Sequence, residues 1–574
     1  MEKLRLSFLK SSLQLATVKP LLLFVLVLSV QAQPPKPNVV LNAMKVELAR
    51  SMEQLKKQPT PPYFLSYEVI ETESLGAAGS FGSLLSSTKL NRQRSLNIDL
   101  RVGSYKLDNS HPIRGTSPIP MDNVSVFPLP IDDDPAALRG LLWYFTDQKY
   151  KRSIEQLISV KTNVKVKAEE TDKAGDFSPT KAETYTEPIA ANEAVDLKLW
   201  EEKVRKYSLP FQRYGNIYSA RVSFLATRQI RYFVSSDGAS IETSEPAYRI
   251  LISAFSKAAD GMELPRYETF FSTTLAGLPS DEVVLASVTR ITKELMALKN
   301  APLTEPYAGP AILSPRATGV IFHEIFGHRI EGQREKREDS SQTFRDKVGK
   351  KVLPEFLSVY ADPTLQKSGA TELAGFYKFD NEGVKARRVT LVDNGTLKNF
   401  LMSRLPVDGF PESNGHGRRA TGYNVAGRQS NLIISAATSV SRDELKKMLI
   451  EEVKKAKLEY GLYFEDVAGG FTIIGRSQPN VFEVIPLMVY RIYLDGREEL
   501  VRGVDLIGTP LTVFTRIIAA DNQVGAFNGT CGAESGQVPV SASGPSLLIS
   551  QIEVQKKAKS QELSPILAPP FDDK

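Results

Sequence analysis

The chain holds four histidines, at 111, 323, 328 and 416, and two of them fall inside one ten-residue run, Gly319-Val-Ile-Phe-His323-Glu324-Ile-Phe-Gly327-His328. Two imidazoles with a carboxylate directly after the first are the parts of a hydrolytic metal site. Neutral imidazole suits zinc, and a site with three protein ligands keeps one position open for water. Bound zinc brings the pKa of that water to about 7. A carboxylate at Glu324 is placed to take the water's proton and hand it on, the role of a general base. The plainer alternative, two ordinary histidines on an apolar helix, explains neither their concentration in one run nor the adjacent Glu324.

The spacing constrains the backbone. In the commoner zinc helix the histidines stand at i and i+4, about 40° apart around the axis. Here they stand at i and i+5, about 140° apart on an ideal helix. Two side chains pointing so far apart cannot meet one ion. The helix is therefore expected to fail at Gly327 to His328, and glycine is the residue at which a distortion costs least. A third ligand is needed. Three candidates stand open on the residues alone: Cys531 in Asn528–Gly536, read as a glycine-rich loop, His416 in Asn414-Gly415-His416-Gly417, and the carboxylate of Glu331. Cys531 is the sole cysteine, so an internal disulfide is excluded, and metal ligation would protect its thiol. His416 reads either as part of a substrate-binding loop or as an exposed loop histidine. His111, before Pro112, reads as structural.

These residues need a frame. At 574 residues the chain suits two or three domains, and 24% charged with 42% apolar residues is a globular balance. Lys3, Arg5, Lys10 and Lys19 precede and border a short apolar run, Leu21–Val30, that leads to Ala32. This reads as a secretory signal over residues 1–32, with a short membrane anchor as the alternative. The run is too short to span a bilayer without its flanks, and no integral span is expected elsewhere. Removing residues 1–32, which carry a net +3, lowers the chain's +6 to +3. With no basic stripe carrying interleaved aromatics, nucleic acid is not an expected partner.

Residues 33–300 read as a mixed α/β domain. Leu41, Met44, Leu48, Met52 and Leu55 form one helix face, and Asp134-Pro135 opens a second helix running to about Val160. Leu65 to Val69, Leu96 to Val102, Tyr218 to Phe224 and Ile230 to Val234 alternate as strands, the last leading into an Asp237-Gly238 turn. Residues 161–190 read as a polar, exposed excursion, and Ser280 to Leu298 as a closing helix. Residues 301–560 read as a mostly antiparallel, open-barrel-like β domain, with a tail at 561–574. Its signals are the Asn394-Gly395 and Asp495-Gly496 turns, an alternating run from Phe482 broken at Pro486, and a closing strand around Leu548 to Val554. A capped helix from Ser441 is expected to end at Gly461. The fold class is thus α+β.

The run His323-Glu324-x-x-Gly327-His328 with Glu331-Gly332, the Cys531-Gly532 stretch, Gly427–Leu432 and Leu547-Leu548-Ile549 together resemble the TldD/PmbA metallopeptidases, in their TldD-like, metal-containing branch. The resemblance covers nearly all of the chain after residue 32, most specifically 315–335 and 525–550, and least clearly 105–210. It implies a zinc site of His323, His328 and Cys531, with Glu324 as general base. It implies peptidase action on short or unfolded peptides. It also implies a dimer enclosing a chamber, formed with a second copy or with a related subunit lacking the metal residues. An export signal departs from the cytoplasmic members of that family and points to the periplasm or the exterior. The rival reading is a non-catalytic peptide-binding scaffold with a structural zinc site.

Overall fold

The computed structural model describes residues 38–113, 126–166, 172–187, 194–337, 340–473, 475, 482–557, 565 and 567. The signal read at 1–32 and most of the tail at 561–574 lie outside the described residues. No helix among them is long and apolar enough to cross a membrane.

The first half supplies helices α1 (Val39–Leu55), α2 (Pro135–Val166), α3 (Leu197–Ser208) and α4 (Asp281–Asn300). Its seven-stranded sheet has five long strands, β1 (Pro62–Ser80), β2 (Ser83–Val102), β3 (Ser219–Ser235), β4 (Ser240–Lys257) and β5 (Glu263–Ser272). These five run antiparallel in the order β2-β1-β3-β4-β5. Alternation decides which face is covered. Leu65, Tyr67 and Val69 of β1 with Leu96, Ile98 and Leu100 of β2 bury against Met44 of α1 and Leu138 and Leu142 of α2. Val222 and Phe224 of β3 with Ile250 and Ile252 of β4 bury against Val204 of α3 and Val288 and Ile291 of α4.

Two expectations change here. The strands read separately at 218–224 and 230–234 are one strand, β3. The polar Thr227 to Gln229 between them keeps the two-residue phase, so the inward set stays on even positions throughout. The stretch 161–190 is not simply an exposed excursion. Asp176 and Phe177 are buried, and Asp176 accepts from the Nδ1 side of His111 at 2.7 Å, which gives His111 a structural partner.

The second half contributes an eleven-stranded sheet. Its main elements are β6 (Tyr307–Leu313), α5 (Pro315–Ile325), β7 (Leu357–Ala361), β8 (Val389–Asp393), β9 (Asn431–Ala436), α6 (Arg442–Lys455), β10 (Tyr460–Thr472), β11 (Phe482–Tyr493), β12 (Val504–Gly508), β13 (Ile517–Ala533) and β14 (Gly536–Lys556). The ladder β14-β12-β11-β10-β6 returns to β14, closing a five-strand ring, and β9, β7 and β8 extend from it as an open sheet. Most pairs are antiparallel; β9–β14 and β10–β6 are parallel. The last strand, read as a closing strand around Leu548 to Val554, is the hub: β14 pairs with β6, β9, β12 and β13. Pro486 falls at register shifts between β10 and β11, the bulge its missing N–H requires. Helix α6 ends at Lys455 rather than Gly461, because Lys457 turns to positive φ (57°) and Gly461 already belongs to β10.

Buried charge joins the two sheets. Glu68 of β1 holds Arg419 at 2.8 Å and Arg231 of β3 at 3.5 Å. Arg231 donates to the carbonyls of Phe379 and Asp380, each at 2.7 Å. Asp380 accepts the backbone N–H groups of Glu382, Val384 and Gly417, each at 2.9 Å, and Glu382 accepts that of Arg404 at 2.6 Å. Burial, with the charge of Asp380 beside it, pushes the Glu382 carboxyl up to about 8. An unfolded chain releases this proton near pH 4.5, before the folded one does. The contribution to stability is therefore fullest below about pH 4.5 and is lost as pH rises to about 8. Glu382→Gln, which keeps an acceptor for Arg404, is expected to flatten the fall in melting temperature across that window. An unchanged pH profile would assign the fall to other groups.

Candidate metal centre

Helix α5 is set by its first residues. Ser314 caps it, accepting the N–H of Ala317 at 3.1 Å, and Pro315 stands where a missing N–H costs nothing. Every residue from Ala317 to Ile325 is buried. Gly319 lets the helix lie on β14, since a Cβ there would meet the Ala542 carbonyl at 2.9 Å. Phe322 and Phe326 pack on Phe514.

The helix stops at Ile325 and a short 3₁₀ turn, Gly327–Arg329, follows. This is the failure that the i, i+5 spacing demanded. The freed carbonyls of Glu324 and Ile325 lie within 3.0 and 3.4 Å of the Arg329 guanidinium, which also reaches the Ile473 carbonyl at 3.2 Å. Gly327 serves a different purpose from the one expected. Its φ is not in the left-handed region; what it provides is space, because a Cβ there would fall 1.9 Å from Oε1 of Gln429.

The turn brings the two imidazole rings to 5.1 Å between centroids. Cys531 arrives from β13, at the end of a tight β13–β14 hairpin and not on a free glycine-rich loop. Its Sγ lies 3.3 Å from Nε2 of His328. One ligand atom each from His323, His328 and Cys531 lie within 4.8 Å of one another, and all three residues are buried. Zinc bonds of about 2.0–2.3 Å in a tetrahedron separate nitrogen and sulfur by about 3.5 Å, so this donor set fits zinc. Nδ1 of His323 is buried without a hydrogen-bond partner among the described residues, an atom that such an ion would satisfy.

The other candidates take other places. Glu331 stands behind His328, 3.4 Å from its Nδ1, and is held by Arg334 at 2.6 Å. A carboxylate on the far nitrogen fixes tautomer and ring orientation and leaves Nε2 toward the thiol. His416 is fully buried and its Nε2 faces Ser430 at 3.2 Å. It is absent from the cavity lining, so the reading of His416 as a substrate-binding or exposed loop residue is corrected to a structural one. Burial drives its pKa down to about 3, keeping it neutral.

His323, Glu324, His328 and Cys531 open on a cavity of about 420 Å³. Gly470 and Phe471 of β10 form one wall, and Thr530 to Glu534 another. Gly470 allows the approach, since a Cβ there would sit 2.9 Å from Cγ of Glu324. Burial pushes the Glu324 carboxyl up, with His323 and His328 pulling against it. For Cys531, burial alone would raise the thiol, but the two imidazoles overcome it and hold it well below its ordinary value. Burial likewise opposes the charged form of His328, while Cys531 and Glu331 push it up to about 10.

Several contacts at the site were not legible in the sequence. Arg334 also pairs with Glu534, at 2.9 Å, and Gln333 donates to the same carboxylate at 2.9 Å. The Glu331–Arg334 spacing of three was available as a signal. Nothing local marks Glu534 as their partner.

A ring-forming sheet thus carries a short buried helix that sets a His/His/Cys cluster beside a glutamate in a cavity. Residues 306–556 match the PmbA/TldA metallopeptidase C-terminal domain. A metalloprotease of Methanothermobacter thermautotrophicus is 27% identical over 338 residues, 58% of this chain and 69% of that protein. A zinc metalloprotease TldD homolog of Saccharolobus solfataricus is 26% identical over 252 residues, 43% of this chain and 52% of that one. A Haemophilus influenzae metalloprotease TldD homolog is likewise matched over about half its length, 51%. The crystal structure of TldE from Thermococcus kodakarensis superposes with a TM-score of 0.59 at 15% identity, over 89% of this chain and 100% of that one, a likeness of fold. Residues 306–556 are thereby placed in the PmbA/TldD metallopeptidase family.

Proposed function

We propose that this protein is a zinc metallopeptidase that hydrolyses peptide bonds in short or unfolded peptides. The observation that carries the reading is Glu324, a buried carboxylate 3.9 Å from Nε2 of His328 on the side where the ligand atoms converge. His323, His328 and Cys531 would hold the ion, which when bound supplies a polarised carbonyl and an acidified water. Glu324 takes the proton from that water and passes it to the departing amine, as its burial and raised basicity suit it to do. The cavity falls within the usual size of small-ligand pockets, about 300–1,000 Å³, and accepts an extended segment in preference to a folded domain.

The same reading includes export of the protein and pairing with a second copy or with a fold-related subunit without the metal residues. The scaffold alternative needs a closed zinc site. Structural sites commonly use four protein ligands, and among the described residues the cluster has three. Prolonged dialysis against a strong chelator is expected to abolish hydrolysis of an unstructured peptide, and about one equivalent of zinc per chain to restore it. Activity that survives complete metal removal would sink the proposal.

A further inference from the structure

The segment Gly427-Arg428-Gln429 runs along the back of the metal cluster, and successive side chains touch different arms of it. Arg428 is fully buried. Its Nη2 donates to the carbonyl of Cys531 at 2.8 Å and meets Sγ of Cys531 at 3.1 Å. Its Nη1 donates to Ser535 Oγ at 2.7 Å and the Gly536 carbonyl at 2.9 Å, clasping the hairpin turn just beyond the cysteine. Its Nε lies 3.2 Å from Glu331, the carboxylate that stands behind His328, an ion-pair contact without hydrogen-bond alignment. Gln429, next in the chain and also buried, donates from Nε2 to the His323 carbonyl at 3.2 Å. It fills the space that Gly327 leaves open.

We infer that Arg428 and Gln429 are positioning residues of the metal site, Arg428 registering Cys531 against His328 through Glu331, and Gln429 fixing His323. The inference rests on the metal-site reading given under Proposed function. Two pieces of chain distant in sequence, α5 with its following turn and the β13–β14 hairpin, are both held by a third at the point where their ligands meet. A guanidinium suits the task, because its planar fork reaches sulfur, carbonyls and a carboxylate at fixed angles, as an ammonium cannot. Outer groups of this kind characteristically govern metal affinity by about 10–100-fold.

The test compares zinc dissociation constants, measured by competition with a chromophoric chelator, and the thiolate-to-metal absorption band of the cobalt-substituted protein. Arg428→Gln is expected to weaken zinc binding about 10–100-fold and diminish the cobalt–sulfur band, with Arg428→Lys intermediate. Gln429→Leu is expected to weaken binding with the sulfur band retained. Arg404→Lys, a buried arginine stacked on Phe177 and away from the cluster, serves as control; it should lower the melting temperature and leave zinc affinity unchanged. Should Arg428→Gln not fold, Arg428→Lys and Gln429→Leu carry the test. Folded variants with wild-type zinc affinity and an unaltered cobalt band would overturn the inference. So would a wild-type protein that binds neither metal. A wild-type protein that binds zinc without cleaving peptides would sink the peptidase reading alone.

Discussion

Glu324→Gln protein is expected to retain its zinc and to lose about 10²–10⁴-fold in peptide hydrolysis. The amide keeps the size of the carboxylate and cannot accept the water's proton. Glu324 is outside the group of three close donors, so removing its charge leaves the ligand set intact. Its neighbours argue that the swap will be accommodated: the side chain lies against Gly470, where there is no Cβ to crowd an amide. The pair of measurements is what discriminates. Metal content by elemental analysis should match wild type, and kcat/KM on an unstructured peptide should fall. Undiminished kcat/KM would remove Glu324 from proton transfer and with it the mechanism.

Cys531→Ala should have the second largest effect, a loss of zinc affinity of more than about 100-fold, beyond what outer groups alone contribute. Two losses coincide in this variant. One of three donors disappears, and the sulfur on which Arg428 rests disappears with it. The backbone bond from Arg428 to the Cys531 carbonyl survives, so the hairpin should hold its place and the fold should persist. Circular dichroism with chelator competition separates the outcomes. A folded Cys531→Ala protein with wild-type zinc content would exclude the cysteine from the centre.

How much of this was legible in the sequence depends on how local the cause was. The break after Ile325 followed from counting residues between His323 and His328, because the geometry of a helix is carried by its own chain. The Asn394-Gly395 turn was legible for the same reason, and both residues adopt positive φ there. The alternating strands of the first sheet declared their buried faces through period-two patterns. What was not legible depended on distant pairing. The glycines around Cys531 suggested a loop, and only the partner strand β14 makes that stretch an extended hairpin arm. The final strand is nearly continuous in apolar residues from Leu547 to Ile549, which fits an edge or a centre equally well until its neighbours are known. His416 stood in a glycine- and arginine-rich stretch that promised exposure, yet Tyr377, Ser430 and the 400–415 backbone close over it. Gly327 was rightly singled out, but its reason lies in Gln429, a residue 102 positions away. Arg428 lies in the Gly427–Leu432 stretch that carried the resemblance, but nothing local showed its burial, which is recognisable only by the acids and carbonyls that surround it.

The position of β14 has a temporal meaning. His328 and Cys531 stand 203 residues apart, and the strand that holds the cysteine's arm in place, closes the ring and backs α5 is made after every other element described above. A growing chain can fold the first sheet, and even form α5, well before synthesis reaches residue 536. The donors cannot converge until then. Hydrolytic capacity, on the reading given above, would wait for residues 536–556, so a chain grown short of them carries no assembled cutting centre alongside its own unfolded segments.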